Sequence, residues 1–347
     1  MTDERLLAIG PANFAGQATA WSASVQRHRG VPAFSFGYEP RPGAAPNFAT
    51  DKHIPSTRAN PLRRRREVER VLRECSHVIV DGFHRVYSLP KVGSLTRDYR
   101  RVARLAKLAL ISHGTDSRDL EAHAERHPWS FARECPPDYL RTMGRRFRRN
   151  QQVLADLGVP FFVVTPELLL DTPSAILVPN VVDVPRWATD RPVLEGARPR
   201  VLHMPTKRVP PIKGSAIIEP VLERLDSEGL IEWVRSGPVP HEEMPRLMAS
   251  CDIVIDQITT GFYSTTTCEA LAAGRIVVGN LTPETRASVP APIPVHDTDP
   301  LNFEETFRAV LADTEAMTRL AEDGPEFAAT IHDGRFSASQ LSGFLDS

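Results

Sequence analysis

The chain is poor in cysteine and in aromatic residues, has no long apolar run, and carries a formal net charge of only −1. Cys75, Cys135, Cys251 and Cys268 are scattered with no CxxC pair, which argues against zinc and against a disulfide framework and for free thiols in a reducing compartment. No apolar run reaches the roughly 18 residues that a membrane-spanning helix needs. The N-terminus, MTDERLLAIG, sets acids beside its single arginine and leads into a short apolar run. It reads as a first strand and not as a signal peptide, so a cytoplasmic protein is expected, peripheral on the inner membrane face where it meets lipid. GxGxxG is absent, so a dinucleotide fingerprint is not supported. HExxH is absent too: His123-Ala-Glu-Arg-His127 has two imidazoles four apart but no third ligand nearby, and no metal is expected there. No convincing pair of catalytic carboxylates is found.

What is present is length and alternation. At 347 residues the chain exceeds one ordinary core and suits two α/β domains. Residues 1–185 hold 27 Lys and Arg against 19 Asp and Glu, a net of +8, and the remainder holds 15 against 24, a net of −9. This split supports a boundary near 185 and a front half that meets something anionic. Short apolar segments at Leu6–Ile9, Ala33–Phe36, Val78–Val80, Leu108–Ser112, Phe161–Val164 and Ala175–Val178 read as strands. Helices are expected at Gln17–His28 and near 62–74, 96–106 and 138–156. The stretch 37–61, rich in Pro, Gly, Ala and Asn, reads as one long loop. A Pro/Arg-rich connection, 184–200, precedes a second alternation. Its strands are expected at 201–204, 231–234, 252–256, 276–279 and 292–295, and its helices at 214–227, 242–250, 265–273 and 301–321. A short, weakly amphipathic helix is expected near 336–345. Such alternation indicates βαβ units and parallel sheets.

The most informative stretch is 201–274. Arg208 and Lys213 lie in a loop after an apolar strand, and Lys213-Gly214 opens a helix. About fifty residues on, a loop containing Gly261 runs into a helix bearing Glu269. Cations and free N–H groups at a helix start suit phosphates, and a carboxylate can accept hydrogen bonds from ribose hydroxyls. The chemistry points to an activated nucleotide, above all a nucleotide-sugar. As surface cations, Arg208 and Lys213 are expected to be dispensable for folding.

These residues resemble the donor domain of retaining glycosyltransferases of the GT-B fold, family-4 type. Arg208-Val-Pro-Pro-Ile-Lys213-Gly214 matches the family's Arg and Lys-Gly at a helix start, and Glu269-Ala-Leu-Ala-Ala-Gly274 matches its Glu-Ala-x-Ala-x-Gly. The resemblance implies two facing Rossmann-like parallel-sheet domains with an interdomain cleft. In it Arg208 and Lys213 bind the donor diphosphate and stabilise the leaving group, and Glu269 binds ribose. The family's first Glu is replaced by Gly261, which puts the sugar's identity in doubt; Asp256 and Gln257 are the expected substitutes. Tyr263, Ser264, Thr265, Thr266 and Thr267 form the loop and first helical turn, where N–H and hydroxyl groups can approach phosphate or sugar.

The front half matches more weakly. The glycine-bearing loop Gly10–Gly16, with Gln17, is expected to line the cleft on the acceptor side. His113-Gly114 after a strand resembles the family's His-Gly facing the donor sugar, so His113 joins Arg208 and Lys213 as a catalytic expectation. Asp81 and His84 end another strand and are acceptor-side candidates. Pro179–Asp183, with Trp187 beyond, resembles the family's entry to the interdomain linker.

The resulting expectation is a donor domain at 186–330, an acceptor-side domain at 1–185, and a terminal helix at 331–347 packing back on the first domain. The enzyme would move a sugar from a nucleotide diphosphate donor to a hydroxyl with retention of anomeric configuration and with no cofactor beyond that co-substrate. Arginine runs at Arg63–Arg66 and Arg145–Arg149 suit an anionic or lipid-linked acceptor or a membrane surface; nucleic acid is disfavoured by the lack of interleaved aromatics. Asp297-Thr298-Asp299 is formally the DxD that holds a metal-bound nucleotide in glycosyltransferases of another fold. Asp before Pro300 at a helix start explains it as a cap, and two cations on the diphosphate replace a metal. The alternatives are a nucleotide-sugar epimerase of the same fold and a non-catalytic nucleotide-sugar or polyanion-binding protein.

Overall fold

The computed structural model describes residues 5–39, 48–55, 61–87, 93–205, 209–237 and 239–347. Arg208, one of the two expected phosphate cations, lies outside the described residues. Among the described residues, twelve strands form two all-parallel sheets. The first comprises β1 (Leu7–Gly10), β2 (Ala33–Tyr38), β3 (Lys52–Ile54), β4 (His77–Asp81), β5 (Lys107–Ser112), β6 (Phe161–Val163) and β7 (Ile176–Leu177), in spatial order β3-β2-β1-β4-β5-β6-β7. The second comprises β8 (Arg200–His203), β9 (Glu232–Val234), β10 (Ile253–Ile255), β11 (Ile276–Gly279) and β12 (His296–Asp297), in order β12-β11-β10-β8-β9.

The central strands are unbroken apolar runs because both of their faces are covered. β1, β4 and β11 are buried at every position. Helices cover the sheets, among them Gln17–Arg29 on the first and Ser215–Ser227 and Phe303–Ala312 on the second.

Three sequence expectations give way here. The stretch 37–61 is not one loop, since β3 lies within it; its three residues are too few to carry a recognisable alternation. The strand expected at 292–295 is β12, displaced to His296–Asp297, because Leu281 N and Thr298 N fix pairing beyond the apolar run. The helix expected over 301–321 is two helices, Phe303–Ala312 and Thr314–Phe327, broken where Asp313 accepts from Ala316 N and caps the second.

Each sheet reverses its direction of growth once, at β1/β4 in the first and at β8/β10 in the second. Open parallel sheets bind ligands in the crevice beyond the carboxyl ends of the strands at such a reversal. Here those ends carry Gly10–Gly16 and Asp81–His84 in the first sheet, and the Lys213 and Asp256–Ser264 loops in the second.

The chain passes between the two halves near 178–184 and again near 328–334. The two crossings are bonded to each other: Val182 N donates to His332 O at 2.9 Å, and His332 Nδ1 donates to Asn180 O at 2.7 Å. Past the second crossing, the helices Arg335–Gln340 and Ser342–Leu345 bury Ala338, Leu341, Phe344 and Leu345 against Leu7, Ile9, Trp21 and Val25.

Candidate active site

At the β8/β10 reversal, two helices begin side by side. Ser215–Ser227 starts after Gly214, which is left-handed (φ 79°) and presses on Ile258 and Thr259, so that a Cβ there would lie 2.6 Å from Ile258 Cγ1. Among the described residues no side chain caps this helix, which leaves its first N–H groups, ahead of Ile217, open to an anion. Thr265–Ala272 starts at Ser264, whose hydroxyl accepts from Thr266 N.

One ion pair ties the two starts together. Lys213 Nζ lies 2.7 Å from Asp256 Oδ1 and donates to Thr266 Oγ1 at 3.3 Å. Asp256 is buried and also accepts from Ser264 N, Ser264 Oγ and Thr267 Oγ1. Burial alone would raise its pKa, but Lys213 and the hydroxyl donors outweigh burial and hold it below the ordinary value. Lys213 is therefore not the free surface cation the sequence suggested: its side chain is only 12% exposed and is paired. Among the described residues it uses two of its three N–H donors.

Beneath this site lies a residue that carries no motif. His203, at the end of β8, donates from Nδ1 to Ile255 O at 2.9 Å and accepts at Nε2 from Ser215 Oγ at 2.8 Å. Burial pushes its pKa down to about 4, so it is neutral and braces β8 against the start of the helix.

Glu269 is buried on the Thr265–Ala272 helix, with Oε1 3.5 Å from His241 Nε2. Burial raises its pKa, opposed by His241 and Lys213. His241 also meets Phe48 edge-on at 4.9 Å, so this corner of the site is closed by a residue from the first half. Nothing in the spacing of Phe48 and His241 announces that contact.

Gly261, where the resembled family has its first Glu, has no room for a side chain. Its φ is 77°, and a Cβ would lie 2.6 Å from Thr282 Cγ2 and 2.9 Å from the Trp129 ring. Trp129 stacks on His127 at 4.4 Å. Its segment is fixed to the same loop, since Phe131 N donates to Thr259 O and His123 Nε2 donates to Thr260 O. His123 and His127 thus serve a contact between the halves. The proposed substitutes for the missing carboxylate are otherwise engaged: Asp256 as above, and Gln257, buried, donates to Phe262 O at 3.0 Å. Tyr263 packs its ring against Phe327 and His332. Of the loop residues, Ser264 and Thr266 stand at the Lys213 site, Thr265 is half-buried in the same turn, and Thr267 is spent on Asp256.

In the first half, the residues expected on the acceptor side divide. Gln17 is buried and its amide is consumed: Oε1 accepts from Val181 N at 2.7 Å and Nε2 donates to Val181 O at 3.0 Å. It holds the crossing by a two-point bond to the Val181 backbone. Gly16 lies against Phe48. Asp81, His84 and His113 gather with Phe14 at the carboxyl ends of β4 and β5. His113 Nε2 is 2.7 Å from Asp81 Oδ1, and Phe14 lies 5.1 Å from the His113 ring and 5.4 Å from that of His84.

The DxD pattern is structural. Asp297 accepts from Leu281 N and pairs with Arg286, and Asp299 accepts from Leu301 N ahead of Pro300. Of the four consecutive arginines, Arg64 is buried with its guanidinium 4.0 Å over the Tyr38 ring, and Arg65 pairs with Glu69. No described helix is long and apolar enough to cross a membrane.

No family model and no curated protein matches the chain. Solved structures match over nearly its whole length. Sucrose-phosphate synthase from Thermosynechococcus elongatus is 13% identical with a TM-score of 0.61, covering 98% of each chain. Anabaena HepE, solved with UDP and glucose, is 13% identical with a TM-score of 0.56, covering 99% of this chain and all of that one. A putative UDP-N-acetylglucosamine 2-epimerase from Listeria monocytogenes is 12% identical with a TM-score of 0.51, covering 99% of this chain and 97% of that one. The fold is GT-B: two parallel-sheet α/β halves about a cleft.

Proposed function

We propose that the protein is a glycosyltransferase that moves a sugar from a nucleoside diphosphate-sugar to an acceptor hydroxyl. The observation that carries this reading is the meeting of two helix starts, the first of them without a side-chain cap among the described residues, with Lys213 at the β8/β10 reversal, and the Glu269 carboxylate on the second of those helices. Two helix N-termini and an ammonium suit a diphosphate, and Lys213 meets the charge that develops as the phosphate leaves. Arg208 is the second cation of this reading. Glu269 accepts from the ribose hydroxyls once His241 gives way. UDP complexes of HepE share this fold and favour uridine nucleotides as the first to test.

Retention at the anomeric carbon belongs to the reading through the family resemblance. The acceptor is proposed to be anionic or lipid-linked, on the strength of the basic first half. Loss of acceptor binding with rising salt would support that, and equal use of a neutral acceptor at all salt concentrations would remove it.

The deciding experiment is a thermal-shift and calorimetry screen of UDP, GDP, ADP and dTDP, followed by turnover of the matching diphosphoglucose. A ligand at a hundred times its Kd raises stability by about 2.7 kcal/mol. Nucleotide release that depends on added acceptor supports transfer. Epimer interconversion of the sugar without acceptor would favour the epimerase reading, and tight binding with no turnover the non-catalytic one.

A further inference from the structure

The reversal of the first sheet carries an exposed aromatic ring that has no part in the phosphate or ribose sites. Phe14 follows β1 in the Gly10–Gly16 loop and is 47% exposed. Among the described residues, Phe14 and Phe48 are the aromatic members of the exposed large apolar side chains, and they flank the same loop. Phe48 lies against Gly16, where a Cβ would be 3.1 Å from its Cδ1. Asn13 ties that segment down, with Nδ2 donating to Ala49 O at 2.7 Å. Leaving apolar rings in water is unfavourable, so two of them at the mouth of a cleft mark surface that a ligand covers.

The backbone is shaped to present the Phe14 ring. Among the described residues three non-glycine positions have a left-handed φ, and two of them stand on the loops beside this ring: Ala15 at 49° and Phe83 at 53°. Such conformations persist only where the surroundings impose them, and they gather at binding sites. Gly82 is left-handed at 63°, and a Cβ there would lie 2.8 Å from Phe14 Cε2, so the ring rests on a glycine. His113 meets it edge-on at 5.1 Å and His84 is tilted at 5.4 Å. His84 is exposed, and its Nδ1 donates to Asp81 O at 3.2 Å, which leaves Nε2 as an acceptor. The result is an open carbon surface with a hydrogen-bonding edge.

We propose that Phe14 is the platform on which the acceptor lies, and that the acceptor presents a saturated, hydroxylated ring, a sugar or a cyclic polyol. Its C–H face covers Phe14 and one of its hydroxyls donates to His84 Nε2. The proposal rests on the glycosyl-transfer reading above and names the acceptor class for it. A sugar ring offers an apolar face and a rim of hydroxyls, which matches both parts of the surface. An open-chain polyol has the hydroxyls without the face, and a phenol has the face without the rim. The anionic or lipid portion proposed above is then carried beyond this ring.

The test uses the full chain saturated with whichever nucleoside diphosphate binds in the screen above. Methyl α-glucoside, myo-inositol, glycerol and phenol are offered as probes and followed by saturation-transfer NMR. A saturated ring that binds is then used as acceptor with the matching diphosphoglucose. Phe14→Ala should raise the acceptor KM by about tenfold, the scale of one aromatic contact. Phe14→Tyr, which keeps the flat ring, should retain the wild-type KM. His84→Gln should hold acceptor affinity that His84→Leu loses. Nucleotide affinity by calorimetry should be the same in all four variants. Glycerol binding as tightly as the rings would overturn the proposal, and so would phenol binding where neither saturated ring does. Ring binding that Phe14→Ala leaves intact places the ring elsewhere and overturns it too. If the alanine variant folds poorly, Phe14→Leu decides: it keeps apolar bulk without a flat ring, and an unchanged KM there overturns the proposal. Failure of every probe to bind a chain that holds its nucleotide does the same. Failure to bind any of the four nucleotides overturns the transfer reading itself, and is told apart by that result.

Discussion

Lys213 and Asp256, 43 residues apart in sequence, form a largely buried ion pair that clamps together the starts of two helices. The pair makes the cation of the proposed phosphate site part of the framework as well.

Lys213→Ala should therefore fail twice. Turnover should fall by roughly 10²–10³-fold, the scale for losing one charge-stabilising donor. Stability should fall by about 3–5 kcal/mol, because Asp256 is left buried and unpaired. Asp256→Asn in the same chain should recover part of the stability and none of the turnover. Urea denaturation and steady-state rates check both; an unchanged unfolding midpoint in the single variant would show that the pair contributes nothing to folding.

The buried histidines set an acid limit. His203 and His332 are held neutral by burial, with pKa values pushed down to about 4. Unfolding releases them to the ordinary value of about 6.5. Their folded values lie below the unfolded one, so their contribution is full above about pH 6.5 and is lost as pH falls toward 4. Each should withdraw on the order of 3 kcal/mol across that window. Denaturant midpoints measured from pH 7 to 4 should drop steeply, and less so in His203→Gln.

Asp256 adds a lower step. Its folded pKa lies below the unfolded aspartate value of about 3.9, so its contribution is present above that pH and disappears as pH falls through the folded value. Wild-type protein should lose further stability below pH 4, a loss absent from Asp256→Asn.

Glu269→Gln should weaken binding of the free nucleoside diphosphate by about tenfold, since it keeps the shape but loses the charged acceptor. Calorimetry with and without the sugar separates the cases. If only sugar preference shifts, the ribose assignment is wrong.

Gly261→Glu, which restores the carboxylate of the resembled family, should not create a better enzyme. The left-handed backbone and the Thr282 and Trp129 contacts should cost about 1–3 kcal/mol in strain alone. Trp129→Ala in the same chain should ease part of that loss. A stable, more active Gly261→Glu protein would contradict the geometry.

The sequence by itself determined the alternation of short apolar strands with helices, and with it the parallel sheets, because strands covered on both faces must be apolar throughout. It also determined which residues stand at the strand ends, since a helix start after a strand is a local event: Lys213-Gly214, Ser264–Thr267 and His113 are placed by their immediate neighbours. What it did not contain is partnership across distance. Whether Lys213 is free or paired depends on Asp256, whether Gly261 has room depends on Trp129, and whether Gln17 can serve a substrate depends on Val181. The Asp81–His113 unit exists only because β4 and β5 lie side by side in register. Hydrophobic periodicity is written along the chain and survives reading one residue at a time. Burial and hydrogen bonding are settled between segments, so only the tertiary structure decided them.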